Sequence, residues 1–159
     1  MSALAQYYLG KGHEVSGSDL VLSEITDYLE KLGIKIISNF KFQISNLPDL
    51  VMYSPAVRPE NPEFKFYKDR GVKCLSYPEA LAELTKEYYT IAISGAHGKS
   101  TTTAMMALAL IEAGLDPTVI VGTKLKEFSA GGGPASDWGN NFRMGKSKYL
   151  VIEACEYDS

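Results

Sequence analysis

Residues 90–114, TIAISGAHGKSTTTAMMALALIEAG, constrain this chain more than any other stretch. An apolar strand period runs into a glycine-rich turn and passes directly into an amphipathic helical period. Gly95 and Gly98 let the backbone turn tightly and aim successive N–H groups into one concavity, which suits an anion. The start of the following helix adds partial positive charge at the same point. Lys99 is then placed to reach terminal phosphates, and the Ser100 hydroxyl to ligate magnesium. The pattern predicts an ATP site built from Gly95, Ala96, His97, Gly98, Lys99, Ser100 and Thr101.

The spacing is G-x-x-G-K-S-T, with Ile93 standing where the longer Walker pattern has its first glycine. The bland alternative is a glycine-rich strand-to-helix turn with a solvated lysine. Against it stands the run Thr101-Thr102-Thr103, because β-branched residues lose rotamer freedom in a helix. Phosphate or metal contact by Thr101 gives a reason to tolerate them. His97 has three roles open to it: contacting phosphate, orienting the loop, or satisfying local backbone groups.

Around this turn the chain alternates helical and strand periods. Ser2 caps a helix running to Lys11 that carries Leu4, Tyr7 and Tyr8 on one face. HEVSGSD (13–19) reads as a short strand, Leu22 to Leu32 as a helix with Ile25, Leu29 and Leu32 inward, and IKII (34–37) as a strand. LVMYS (50–54), a helix from Asn61 to Arg70 opened by Pro62, and VKCLS (72–76) follow. Ser76 and Glu79 have capping-box spacing for the next helix. YTIAIS (89–94), the helix through Ala113, PTVIVG (117–122), a Gly/Ser/Asn-rich loop over 129–147 and the strand KYLVIEA (148–154) complete the order. This rhythm predicts α/β architecture. A Rossmann-like parallel-sheet domain over 1–87 is followed by the start of a phosphate-loop ATP-binding α/β domain over 88–159.

The 16 basic and 19 acidic side chains leave a net charge of −3, which argues against a general nucleic-acid binder. The two cysteines, Cys74 and Cys155, lack C-x-x-C spacing, so neither a disulfide framework nor a structural zinc site is expected. No apolar run nears the roughly 20 residues that span a bilayer, and no secretory signal pattern opens the chain. The expectation is a cytoplasmic chain with no membrane insertion.

Glu153, Glu156 and Asp158 fall at the C-terminal end of the last strand, where parallel sheets present functional groups. One of them, with Glu153 foremost, would hold the magnesium that bridges ATP phosphates; a solvated acidic turn is the alternative. Cys155 reads as a small packing residue.

These residues resemble the Mur ligase family. The family's phosphate loop, G-T-H-G-K-T-T-T-T, stands here as Gly95-Ala96-His97-Gly98-Lys99-Ser100-Thr101-Thr102-Thr103, and its E-A-D-E-S-D as Glu153-Ala154-Cys155-Glu156-Tyr157-Asp158. HEVSGSD resembles the second strand of the family's UDP-binding domain, and SPAVRPENPE (54–63) its third-strand loop and following helix. The resemblance spans essentially the whole chain. Its histidine loop is similar to that of the branch acting on UDP-N-acetylmuramate and L-alanine.

The resemblance implies an ATP- and Mg2+-dependent amide-bond ligase of peptidoglycan precursor synthesis, working through an acyl phosphate. It places Lys99 on the β/γ phosphates, Ser100 or Thr101 with Glu153 on magnesium, and Ser18, Asp19, Ser54 and Ala56 near the UDP-sugar. It also implies that the family's first strand and glycine loop, and its C-terminal domain, lie outside these residues, leaving a fragment that does not complete catalysis alone. Ala96, Ser100, Cys155 and Tyr157 depart from the family pattern. Tyr157 is shared with the relative that recycles murein tripeptide, a competing assignment; LVLSEITDYL, in place of that relative's proline-rich segment, favours the alanine branch. A nucleotide-binding module without ligase chemistry is the reading from another class. A generic phosphate-loop ATPase or a folate polyglutamate ligase fits the histidine loop and the G-S-D strand less well.

Overall fold

The computed structural model describes residues 1–38, 46–130 and 140–154. The first helix, α1 (Ser2–Gly10), buries Ala3, Leu4, Gln6 and Tyr7. Its N-cap is Met1 rather than the expected Ser2. The Ala5 N–H bonds back to the Met1 carbonyl and draws Ser2 into the first turn, while Ser2 Oγ accepts from Asn141 Nδ2 at 3.2 Å.

Two βαβ units follow. Strand β1 (Ser16–Asp19) pairs in parallel with β2 (Lys35–Ser38), with Asp19 opposite Ser38. Between them lies α2 (Glu24–Lys31), which buries Thr26 and Leu29 and leaves Ile25 exposed, against expectation. Thr26 Oγ1 both donates to the Ser23 carbonyl and accepts from the Ser23 N–H, at 2.7 Å each. A hydroxyl satisfied in this way can be buried at little cost, so the inward face is rotated by one residue.

The second unit joins β3 (Leu50–Tyr53) to parallel β4 (Lys73–Ser76) through α3 (Pro62–Lys68). Asn61 caps α3 by accepting from the N–H groups of Glu63 and Phe64, with Pro62 in the first turn. The two units form separate two-stranded sheets, with no strand-to-strand pairing between them among the described residues. The α/β class and the parallel pairing are therefore as expected, but a single continuous first sheet is not present among the described residues. Helix α4 (Tyr77–Thr85) starts with the anticipated box, Glu79 Oε2 accepting from both the Ser76 N–H and the Ser76 hydroxyl.

The remaining elements are β5 (Tyr89–Ile93), α5 (Lys99–Glu112), β6 (Thr118–Leu125), a 3-10 turn (Lys126–Ala130), β7 (Asn140–Arg143) and β8 (Tyr149–Glu153). They make a four-stranded sheet of order β5-β8-β6-β7. The first three are parallel, and β7 runs antiparallel to β6. Strand β7 lies inside the segment expected to be loop. NNFR has no alternating apolar pattern, and only Phe142 is buried. A polar clip secures its end: the Arg143 guanidinium donates to Asp116 Oδ1 at 2.6 Å and to the Pro117 carbonyl at 2.7 Å.

The last strand of the described sequence sits at the centre of the sheet. Leu150 and Val151 are fully buried and Ile152 nearly so, the continuous apolar run of a strand covered on both faces. One core joins Leu4 and Tyr7 of α1, Ala80 and Leu84 of α4, Ile120 of β6, Phe142 of β7, and Leu150 and Ile152 of β8. It crosses the expected boundary at 87/88. Two polar links reinforce that contact: Gln6 and Asn140 exchange hydrogen bonds, and the Tyr7 and Tyr88 hydroxyls share one at 3.2 Å.

Candidate functional site: the phosphate loop and its carboxylate

The turn between β5 and α5 is shaped by two glycines. Gly95 has φ +148° and Gly98 φ +74°, left-handed conformations that favour glycine. Gly98 is the N-cap of α5, and its carbonyl accepts from the Thr102 N–H at 2.9 Å. The helix therefore starts at Lys99, with its free N–H groups facing the loop. Lys99 folds back so that Nζ donates to the Gly95 carbonyl at 2.7 Å, closing the loop on itself. Ala96, His97 and Thr101 are exposed around it.

The neighbouring strand β8 pairs with β5 so that Ile93 stands opposite Glu153. This register places Glu153 level with the point where β5 gives way to the loop. Its carboxylate is held on both oxygens: Ser100 Oγ donates to Oε1 at 2.8 Å, and the Gly122 N–H donates to Oε2 at 2.6 Å. The structure thus brings together Ser100 and Glu153, 53 positions apart in the chain. Thr101 lies in the same helical turn and is exposed. The donor set of one hydroxyl and one carboxylate oxygen suits a hard cation, and magnesium completes its shell with water and phosphate oxygens. No cluster of three or more His, Cys, Asp or Glu side chains able to hold a metal exists among the described residues. Cys155, Glu156, Tyr157 and Asp158 lie outside the described residues.

The next helical turn carries Thr103, fully buried, whose hydroxyl has no hydrogen-bond partner among the described residues. Of the three threonines only this one packs into the core, while Thr101 and Thr102 remain exposed.

The residues expected near a UDP-sugar occupy two strand ends. Ser18 and Asp19 close β1, while Ser54 and Ala56 follow β3. Asp19 Oδ1 accepts from the Val21 N–H at 3.2 Å, and Ser54 Oγ from the Ala56 N–H at 3.3 Å, so both segments form side-chain-stabilised turns. Glu63, at the start of α3, links the two units by accepting from Ser18 Oγ at 2.6 Å. A cleft of about 390 Å³ opens beside the Ser54–Ala56 turn, lined by Tyr53, Pro55, Val57, Phe64 and Lys68 among others. The contacts of Glu63 and Gly122 were not visible in the sequence. For Glu63 the N-P-E capping pattern was the available signal. For Gly122 there was none, since it reads as the end of an apolar strand.

A left-handed glycine turn, a lysine at its helix start and an acid on the adjacent parallel strand are the features of the phosphate-loop class of α/β proteins. A family model described as "Mur ligase family, catalytic domain" matches residues 1–89, and the chain belongs to the Mur ligase family. It is 42% identical over 158 residues to a UDP-N-acetylmuramate–L-alanine ligase of Acetivibrio thermocellus, covering 99% of this chain and 32% of that protein. Against the ligase of the same name from Campylobacter jejuni subsp. jejuni serotype O:2, identity is 46% over 160 residues, covering 100% of this chain and 34% of the relative. The chain therefore spans about a third of the length of the curated relatives it matches.

Among solved structures, a UDP-N-acetylmuramate-alanine ligase from Thermotoga maritima superposes with a TM-score of 0.83 at 32% identity. That match covers 96% of this chain and 34% of the other. A murein peptide ligase from Psychrobacter arcticus gives a TM-score of 0.81 at 29% identity, covering 100% of this chain and 36% of that one. Among the described residues no helix is long and apolar enough to cross a membrane.

Proposed function

We propose that this chain is the ATP-binding and UDP-sugar-binding portion of a ligase that joins L-alanine to UDP-N-acetylmuramate in peptidoglycan precursor synthesis. The observation that carries the reading is the Ser100–Glu153 hydrogen bond beside a lysine-bearing phosphate loop, in a chain 40–46% identical to ligases of that name.

In this reading Gly95, Ala96, His97 and Gly98 wrap the phosphates with backbone N–H groups. Lys99 exchanges its bond to the Gly95 carbonyl for the β/γ phosphates, bringing a fixed positive charge to the transferring group. Ser100, Thr101 and Glu153 hold magnesium, which supplies charge neutralisation on the phosphates when bound. The muramyl carboxylate oxygen takes the γ-phosphoryl group and ADP leaves. The alanine amine then attacks the acyl carbon, expels inorganic phosphate and gives up a proton. Ser18, Asp19, Ser54 and Ala56 position the UDP-sugar. Residues 1–87 form the sugar-nucleotide domain and 88–159 the beginning of the ATP domain, working in the cytoplasm.

The test is phosphate release by the protein extended through its flanking reading frame. Release that requires both UDP-N-acetylmuramate and L-alanine is expected, with none from residues 1–159 alone. Release supported by murein tripeptide in place of L-alanine would reassign the chain to the peptide-recycling branch. ATP hydrolysis indifferent to both would reduce it to a nucleotide-binding module.

A further inference from the structure

Gly122 stands on β6, outside the phosphate loop and absent from every residue pattern that pointed to the site. It is not among the glycines with positive φ, so conformational freedom does not account for it. What distinguishes it is proximity. Its N–H donates to Glu153 Oε2 at 2.6 Å, and a Cβ attached there would lie 2.6 Å from the same oxygen and 3.3 Å from the carboxyl carbon. A methyl group and the present carboxylate cannot occupy that space together.

We propose that Gly122 is the positioning residue for Glu153. Its amide anchors one carboxylate oxygen, and its missing side chain leaves the room that lets the other oxygen meet Ser100. The proposal rests on the reading of Glu153 as a magnesium-holding acid and names the residue that sets its orientation. β6 and β8 run in parallel register from Thr118 opposite Leu150 to Ile120 opposite Ile152, which brings the Gly122 amide to the end of β8. The two bonds come from different elements, Ser100 from the helix start and Gly122 from the sheet. With both oxygens fixed, the carboxylate enters nucleotide binding already ordered and loses less side-chain freedom there.

Because the atom that a new methyl would strike is the far end of a flexible side chain, Gly122→Ala displaces Glu153 rather than unfolding the sheet. The experiment compares ATP affinity with and without Mg2+ for the 159-residue chain and its Gly122→Ala and Glu153→Gln variants, with far-UV circular dichroism verifying the fold. The expected result for Gly122→Ala is at least about a tenfold loss of the Mg2+-dependent gain in affinity, with metal-free ATP affinity changed by no more than about twofold. A retained Mg2+ gain would overturn the proposal, as would a parallel fall with and without metal, which marks general disruption.

A second readout needs no ligand. The Gly122 N–H, held by the Glu153 carboxylate, should exchange with solvent at least about tenfold faster in Glu153→Ala than in the parent chain. A Gly122 amide that exchanges at the same rate with and without the Glu153 carboxylate overturns the proposal by itself. If Glu153→Gln keeps the full Mg2+ gain, the role of Glu153 fails instead, and the amide exchange alone decides whether Gly122 anchors it.

Discussion

Ser100 Oγ and Glu153 Oε1 lie 2.8 Å apart, joining the first turn of α5 to the end of β8. The contact depends on β8 pairing directly with β5, since the phosphate loop begins where β5 ends. One residue of register slip would turn Glu153 to the other face of the sheet and remove it from the loop.

This pairing predicts strong non-additivity. Ser100→Ala and Glu153→Gln should each weaken Mg-ATP binding, and the double variant should lose less than the sum of the two. A coupling of about 0.5–3 kcal/mol is expected in a double-mutant cycle read by titration calorimetry. Strict additivity would show that the two residues serve Mg-ATP independently.

Lys99 carries a different expectation, because its ammonium is now held by the Gly95 carbonyl at 2.7 Å. Lys99→Ala should weaken Mg-ATP binding at least tenfold, about 1.4 kcal/mol. Removing the charge should also flatten the salt dependence of that binding. Unchanged affinity would take Lys99 out of the phosphate site.

The continuous core makes a prediction about stability. Leu84 of α4 packs in one cluster with Leu150 and Ile152 of β8. Leu84→Ala should cost about 2–5 kcal/mol through lost burial and a residual cavity. Amide exchange should accelerate at Leu150 and Ile152 as well as within α4. Acceleration confined to α4 would mean that the two halves unfold separately.

The clip around Asp116 predicts an acid-sensitive contribution. The hydrogen bond from Arg143, aided by the Lys146 N–H, holds the Asp116 carboxyl below the ordinary aspartate range. A carboxyl with a lowered folded value binds its proton more weakly in the folded state than in the unfolded one. Its stabilisation is complete above the unfolded value of about 3.9 and is lost as pH falls through the lower folded value. Urea midpoints measured from about pH 6 down to pH 2 should fall less steeply for Asp116→Asn than for the parent chain. Identical acid limbs would show that the clip adds nothing. The pair is partly solvent-exposed, so the difference should be modest and reduced by salt.

Much of the fold was legible because its signals are local. Pro62 after Asn61, and Ser76 three residues before Glu79, are helix starts that depend only on neighbouring backbone groups, and both form as expected. Ile25 was misplaced because hydropathy does not register that the Thr26 hydroxyl is satisfied by Ser23 and can go inward. Strand β7 was missed because what holds NNFR in the sheet is a partner strand and an arginine clip to Asp116, more than 20 positions away.

The sequence by itself determined the phosphate loop. Gly95 and Gly98 take the left-handed conformations their turn requires, and Lys99 and Ser100 follow at the helix start, since all four answer to nearby backbone geometry. Glu153 was already the foremost acid in the sequence; what only the tertiary structure decided is that Ser100 donates to it directly and that the Gly122 N–H holds its other oxygen. An apolar run such as YLVIE commits a segment to a buried strand but is silent about its neighbours. Insertion of β8 between β5 and β6 is settled by long-range pairing and by the core shared with α1 and α4. That choice of neighbours brings Ser100, Gly122 and Glu153 together from three separate elements.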